Sequence, residues 1–122
     1  MTLDCRIADG LTLKGDQEAI QRLLSILLDN AVKYAVSGAI GLTVENRHGR
    51  RRITVSNRCV LPENFDTARL FDRFYRPDAS RSTSTGGTGV GLAMAKAIVE
   101  AHHGTIRAEQ TSKGLIRFIV CL

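Results

Sequence analysis

Apolar residues recur at steps of three and four along one stretch of the chain: Ile20, Leu23, Leu24, Leu27, Leu28, Ala31 and Ala35. That spacing lines one face of an α-helix, which starts after Asp16, a side chain able to cap the first turn, and stops near Gly38. Upstream, residues 3–7 and 11–14 alternate apolar and polar positions around Asp9-Gly10, the pattern of an edge strand or hairpin. Alternation returns over about 40–46 and 52–57, and His48-Gly49 between them is a turn signal, so a hairpin is expected there. Residues 64–74 predict a short helix with Leu70, Phe71 and Phe74 on its apolar side. Arg76–Gly87 is rich in serine and threonine and has no period, the composition of a mobile loop. A second helix is expected from Thr88 to His102, with Val90, Met94, Ala97, Ile98 and Ala101 buried and Gly104 as its left-handed stop. Strands at about 105–111 and 115–121, joined through Lys113-Gly114, close the chain. The elements predict a mixed α/β layer, with helices on one face of a mostly antiparallel sheet.

The chain has 122 residues, which suits a single domain with one core. It contains no apolar run near the roughly 18–20 residues of a membrane span, and no signal-peptide pattern opens it, so direct membrane insertion is not expected. Its three cysteines, Cys5, Cys59 and Cys121, have no C-x-x-C spacing, which favours free thiols and a cytoplasmic address. Net charge is +5, with basic residues concentrated in Asn46–Arg52. No aromatic residue interleaves with those arginines to stack on bases, so the cluster reads as a solvated hairpin and not as a nucleic-acid surface. The positive balance still suits an anionic ligand such as a nucleotide.

Two stretches carry chemistry. In "LLDNAVKYA" (Leu27–Ala35), Asn30, Lys33 and Tyr34 share one helix face over a single turn. An amide oxygen, an ammonium and a phenol there could serve a metal-bound polyphosphate, and the same triplet could also be an ordinary helix end. In "GGTGVGLAMAKAIVEAHHG" (Gly86–Gly104), glycines lead straight into a helix, an arrangement that lets backbone N–H groups approach phosphate closely. It is neither a P-loop, since no Gly-Lys-Ser/Thr follows, nor the dinucleotide fingerprint, since its spacing is G-x-G-x-G. His102 and His103, at the predicted helix end, are explained by the helix dipole without invoking catalysis or metal.

Taken in order, "LLDNAVKYA", "LFDRFYRPD" (Leu70–Asp78) and the glycine run resemble the ATP-binding domain of sensor histidine kinases, within the wider superfamily of DNA gyrase and the heat-shock chaperone ATPases. The resemblance covers the chain from about Leu11 to Leu122. It implies a two-layer α/β sandwich, the Bergerat fold, as one ATP-binding catalytic domain over residues 1–122, with ATP and Mg²⁺ as ligands. By the same resemblance Asn30 is the Mg²⁺ ligand, while Lys33 and Tyr34 contact phosphate and nucleotide. Phe71 and Phe74 form the aromatic box before an ATP lid at about residues 77–88, and Arg73 and Arg76 stand where they can meet phosphate. Gly87, Thr88, Gly89, Val90, Gly91 and Leu92 form the glycine box, with Leu92 also expected in the core. Asn30, Lys33 and Arg73 are the implied catalytic set.

The family's first glycine box reads D-x-G-x-G, and its aspartate accepts a hydrogen bond from the adenine amino group. Here Asn57 occupies that place in "VSNRCVLPEN", followed by Arg58 and Cys59 instead of small residues. A neutral acceptor loses charge assistance, about 1–2 kcal/mol. Ile26 stands where many members carry a further asparagine. No histidine here has the acidic and T-P context of a phosphoacceptor. The implied acceptor is therefore a histidine on a separate dimerisation domain of the same parent protein, with a response regulator downstream and a parent that can be membrane-anchored. Two alternatives are a module with a degenerate nucleotide site that docks to a partner kinase, and a serine kinase of the anti-sigma-factor type.

Overall fold

The computed structural model describes residues 2–8, 10, 15–35, 38–59, 66–72, 91–111 and 114–122. In chain order they form β1 (Thr2–Ile7), α1 (Gln17–Tyr34), β2 (Ala39–Arg47), β3 (Arg50–Arg58), a 3-10 helix (Thr67–Phe71), α2 (Gly91–Ala101), β4 (Thr105–Gln110) and β5 (Leu115–Cys121). The strands make one sheet in the order β1-β2-β3-β5-β4. β1 runs parallel to β2, and the other three pairings are antiparallel. This is the mixed, mostly antiparallel sheet expected from the alternation. The segments expected at 11–14 and around Lys113 lie outside the described residues, as does the loop expected at 76–87.

Side-chain alternation puts one face of the sheet into the core. Register aligns Leu42, Val55 and Phe118 across three strands, and Val44, Ile53 and Val120 beside them. Leu23, Leu27 and Ala31 of α1 and Ala95 and Val99 of α2 pack on that same face, giving a two-layer sandwich. Each fully buried leucine or valine contributes about 1.5–3 kcal/mol to the fold.

Local signals explain the element ends. The Asp16 carboxylate accepts from the N–H groups of Glu18 and Ala19 at 3.0 and 3.3 Å, capping α1 as its side chain suggests. The β2–β3 turn places His48 and Gly49 at φ of 51° and 77°, the left-handed pair that a two-residue hairpin requires.

The second helix departs from expectation in two ways. Met94, Ala97 and Ala101 are exposed, and the buried sector is centred on Ala95 and Val99. Lys96 and Glu100 are the only charged residues in "GLAMAKAIVEA", so the pattern leaves the buried side open. Packing decides it, because α2 is held by α1 on one side and by β4 and the 3-10 helix on another. The left-handed residue at its end is His103, at φ 60°, and not Gly104. Gly104 is small for another reason: a Cβ there would collide with the Cys121 carbonyl and come within 2.9 Å of Leu122.

Candidate functional site

Three contacts fix the two helices antiparallel. At one end, His102 Nε2 accepts from the Asp16 N–H at 3.1 Å, while Nδ1 lies 2.8 Å from the Ile98 carbonyl and donates to it. A Cβ on Gly15 would come within 2.6 Å of that imidazole, so the ring closes over bare backbone. His102 is thus a neutral clip between the start of α1 and the end of α2. Midway, Arg22 of α1 meets the Met94 sulfur at 4.0 Å. At the far end, a Cβ on Gly91 would touch Ile26 at 3.6 Å.

That register positions the candidate chemistry. Asn30 lies one turn beyond Ile26, about 6 Å further along α1, on the side to which the N-terminus of α2 opens. The first N–H groups of a helix have no partners within it, and its dipole is positive there, which favours an anion. Asn30 and Tyr34 are half-buried on the last turns of α1, and Lys33 is exposed beside them. Gly91 is exposed at the start of α2, and Leu92 packs partly against the core. Ile26, which stands where the resemblance implies a further asparagine, lies beside Gly91 at the start of α2.

Asn57, near the end of β3, is 1% exposed and faces the core side of the sheet opposite Ile116. Its Nδ2 donates to the Arg58 carbonyl at 3.0 Å, and its Oδ1 is buried with no partner among the described residues. A buried acceptor left unpaired costs about 1–3 kcal/mol, so it marks a place where a donor from elsewhere fits. Cys59 follows on the same face, packed partly against the core, and burial raises its thiol above the ordinary 9.0. No sequence signal marks this oxygen as lacking a partner among the described residues, since that follows only from the β3–β5 register and the closing of the core.

Phe71 is buried and meets Phe118 edge-on, with ring centroids 6.1 Å apart and planes at 90°. It is a core anchor that holds the 3-10 helix, which is shorter than the helix expected at 64–74. Arg73, Phe74, Arg76, Gly87, Thr88, Gly89 and Val90 lie outside the described residues. The basic hairpin is engaged with the protein itself: Arg50 donates to the His103 carbonyl at 3.3 Å, and Arg47 pairs with Glu45 at 3.3 Å. Among the described residues no group of three or more His, Cys, Asp or Glu side chains could hold a metal, and no helix is long and apolar enough to cross a membrane.

One half-buried amide near the end of α1, an exposed lysine beside it and the first backbone N–H groups of α2 fit a cation that arrives with polyphosphate, because a hard cation such as Mg²⁺ keeps mostly phosphate and water oxygens. The unpaired Asn57 acceptor fits the exocyclic amine of a purine.

Known proteins share this fold. The sensor histidine kinase YkoH of Bacillus subtilis is 43% identical over 95 residues, which are 77% of this chain and 20% of that protein. The chain therefore spans about a fifth of that relative's length. Among solved structures, the mycobacterial sensor histidine kinase MprB superposes with a TM-score of 0.84 at 21% identity, covering 99% of this chain and 80% of that one. Full-length ShkA in complex with AMPPNP superposes with a TM-score of 0.82 at 23% identity, covering 98% of this chain and 25% of that one. At those identities the structures establish the shared fold. Residues 15–122 match the model of the "Histidine kinase-, DNA gyrase B-, and HSP90-like ATPase" family, and the chain belongs to that family.

Proposed function

We propose that this chain is the ATP-binding catalytic module of a sensor histidine kinase, which presents the γ-phosphate of Mg·ATP to a histidine on a helical dimerisation domain of its parent protein. The observation that carries this reading is the buried Oδ1 of Asn57, which has no partner among the described residues and lies on the same core face that α1 covers. In this reading Asn57 accepts from the adenine amine and Asn30 offers its amide oxygen to Mg²⁺. Lys33 offsets phosphate charge and Tyr34 covers the nucleotide. The backbone from Gly87 to Leu92 donates to the phosphates at the start of α2. Phe71, with Phe74, anchors the segment that leads through Arg73 and Arg76 toward the phosphates.

Phosphoryl transfer asks little covalent chemistry of the protein, so these groups act by positioning and by neutralising charge. The acceptor imidazole and any response regulator lie outside this chain, and the working site of such a parent is the cytoplasm.

The test mixes the chain, a histidine-bearing dimerisation domain and ATP labelled at the γ-position. Label on the partner that is lost in acid and kept in base is the expected outcome. Asn30→Ala should abolish it and the Mg²⁺-dependence of nucleotide binding, with the melting temperature unchanged because Asn30 is only half-buried. Base-labile, acid-stable label would point to serine phosphorylation, and an Asn30→Ala variant with unaltered affinity would remove Asn30 from the metal role.

A further inference from the structure

We infer that the main-chain carbonyl of Arg58 locks the Asn57 amide in one orientation, so that this pocket offers a fixed neutral acceptor and is built for an amide where the family pattern has an aspartate. A carbonyl oxygen can only accept, so the atom 3.0 Å from it must be the NH₂ group of Asn57. Flipping the amide would bring two oxygens together and leave the carbonyl without its donor. The lock turns Oδ1 the other way, where it is buried and unpartnered among the described residues.

An aspartate at this place has no proton to give Arg58. Its second oxygen would sit against the carbonyl in a site that is 1% exposed, and both burial and lone-pair repulsion disfavour the charged form. Among the described residues, the groups on β3 and across from it on β5 do not offset that charge. The Arg58 side chain is exposed and alternates to the other side, Cys59 is a neutral thiol, and Ile116 lies across the strand. The Arg117–Glu109 pair, at 3.4 Å, belongs to the opposite face of the sheet, since Arg117 is in register with Ser56. A protonated aspartic acid, in contrast, could donate to Arg58 and present its carbonyl inward, copying the amide. The part of the inference that concerns the nucleobase rests on the proposed function: a locked acceptor favours a base with an exocyclic amine over one with a carbonyl there.

Two measurements test it. The first is thermal melting of ligand-free wild type and Asn57→Asp from about pH 5 to about pH 8. The buried acid's pKa is raised above its unfolded value, so its contribution is present at low pH and lost as pH rises through the raised value. Asn57→Asp should therefore melt close to wild type at the acid end and fall progressively below it toward the alkaline end. A variant that tracks wild type at every pH, or exceeds it, overturns the lock. The second is titration of wild type with AMPPNP and with its inosine counterpart, where the adenine form should bind at least about tenfold tighter. Equal, measurable affinities would show a freely flipping amide and overturn the inference. If neither nucleotide binds, the proposed function fails and the melting comparison still decides the lock. If Asn57→Asp folds at no pH, the base preference of the wild type decides it.

Discussion

Asn57 and Cys59 show how strand alternation turns two polar residues into opposite problems on one face. Among the described residues the amide makes one bond, to the Arg58 carbonyl, and its oxygen is buried without a partner. The thiol is held neutral by burial. Since the folded-state pKa of Cys59 is raised, its contribution to stability is present below the ordinary thiol value and is lost as pH rises through the raised one. Wild type should therefore lose stability faster than Cys59→Ala across the alkaline range above about pH 9, with the two differing by a constant amount at neutral pH. Parallel melting curves across that range would contradict the burial assigned to the thiol. Asn57 could be placed from the sequence because strand spacing and the family pattern coincide there. Its missing partner could not, because satisfaction depends on what the fold brings near.

The antiparallel pair α1 and α2 is the element that makes the site, and its two ends can be tested separately. His102 reaches the start of α1 through one hydrogen bond, accepted from the Asp16 N–H, and its other ring nitrogen donates back to Ile98 of α2. His102→Ala should cost about 1–3 kcal/mol in urea denaturation while leaving the α2 N-terminus in place. An unchanged midpoint would mean the clip contributes nothing. At the opposite end, Gly91→Ala meets Ile26 only in ordinary contact at 3.6 Å and should fold normally. If backbone N–H groups there approach phosphate, nucleotide affinity should fall about tenfold or more while the melting temperature holds. Equal affinity would move the phosphate contacts off that residue. The first helix is legible from its Asp16 cap along its apolar stripe, because that stripe has a polar opposite face, but it stops at Tyr34 and not near Gly38, with Ala35 already extended. The second was legible in its existence but not in its facing. Nine of the eleven residues in "GLAMAKAIVEA" are uncharged, and tertiary contacts chose Ala95 and Val99 over Met94 and Ala101. The same reasoning assigned the left-handed stop to Gly104, where close approach to Cys121 uses the glycine and His103 takes the positive φ.

For the whole molecule, an edge strand, two hairpins and a helix layer on one face follow from patterns visible along the chain, whereas the parallel pairing of β1 with β2 and the pairing of β3 with β5 are set by the fold. In the proposed function, groups from α1, β3 and the start of α2 together bind Mg·ATP. The most direct measurement is calorimetric titration of the folded chain with AMPPNP, with and without Mg²⁺. The account predicts saturable binding that strengthens when Mg²⁺ is present. Flat heats from a sample shown to be folded would contradict it.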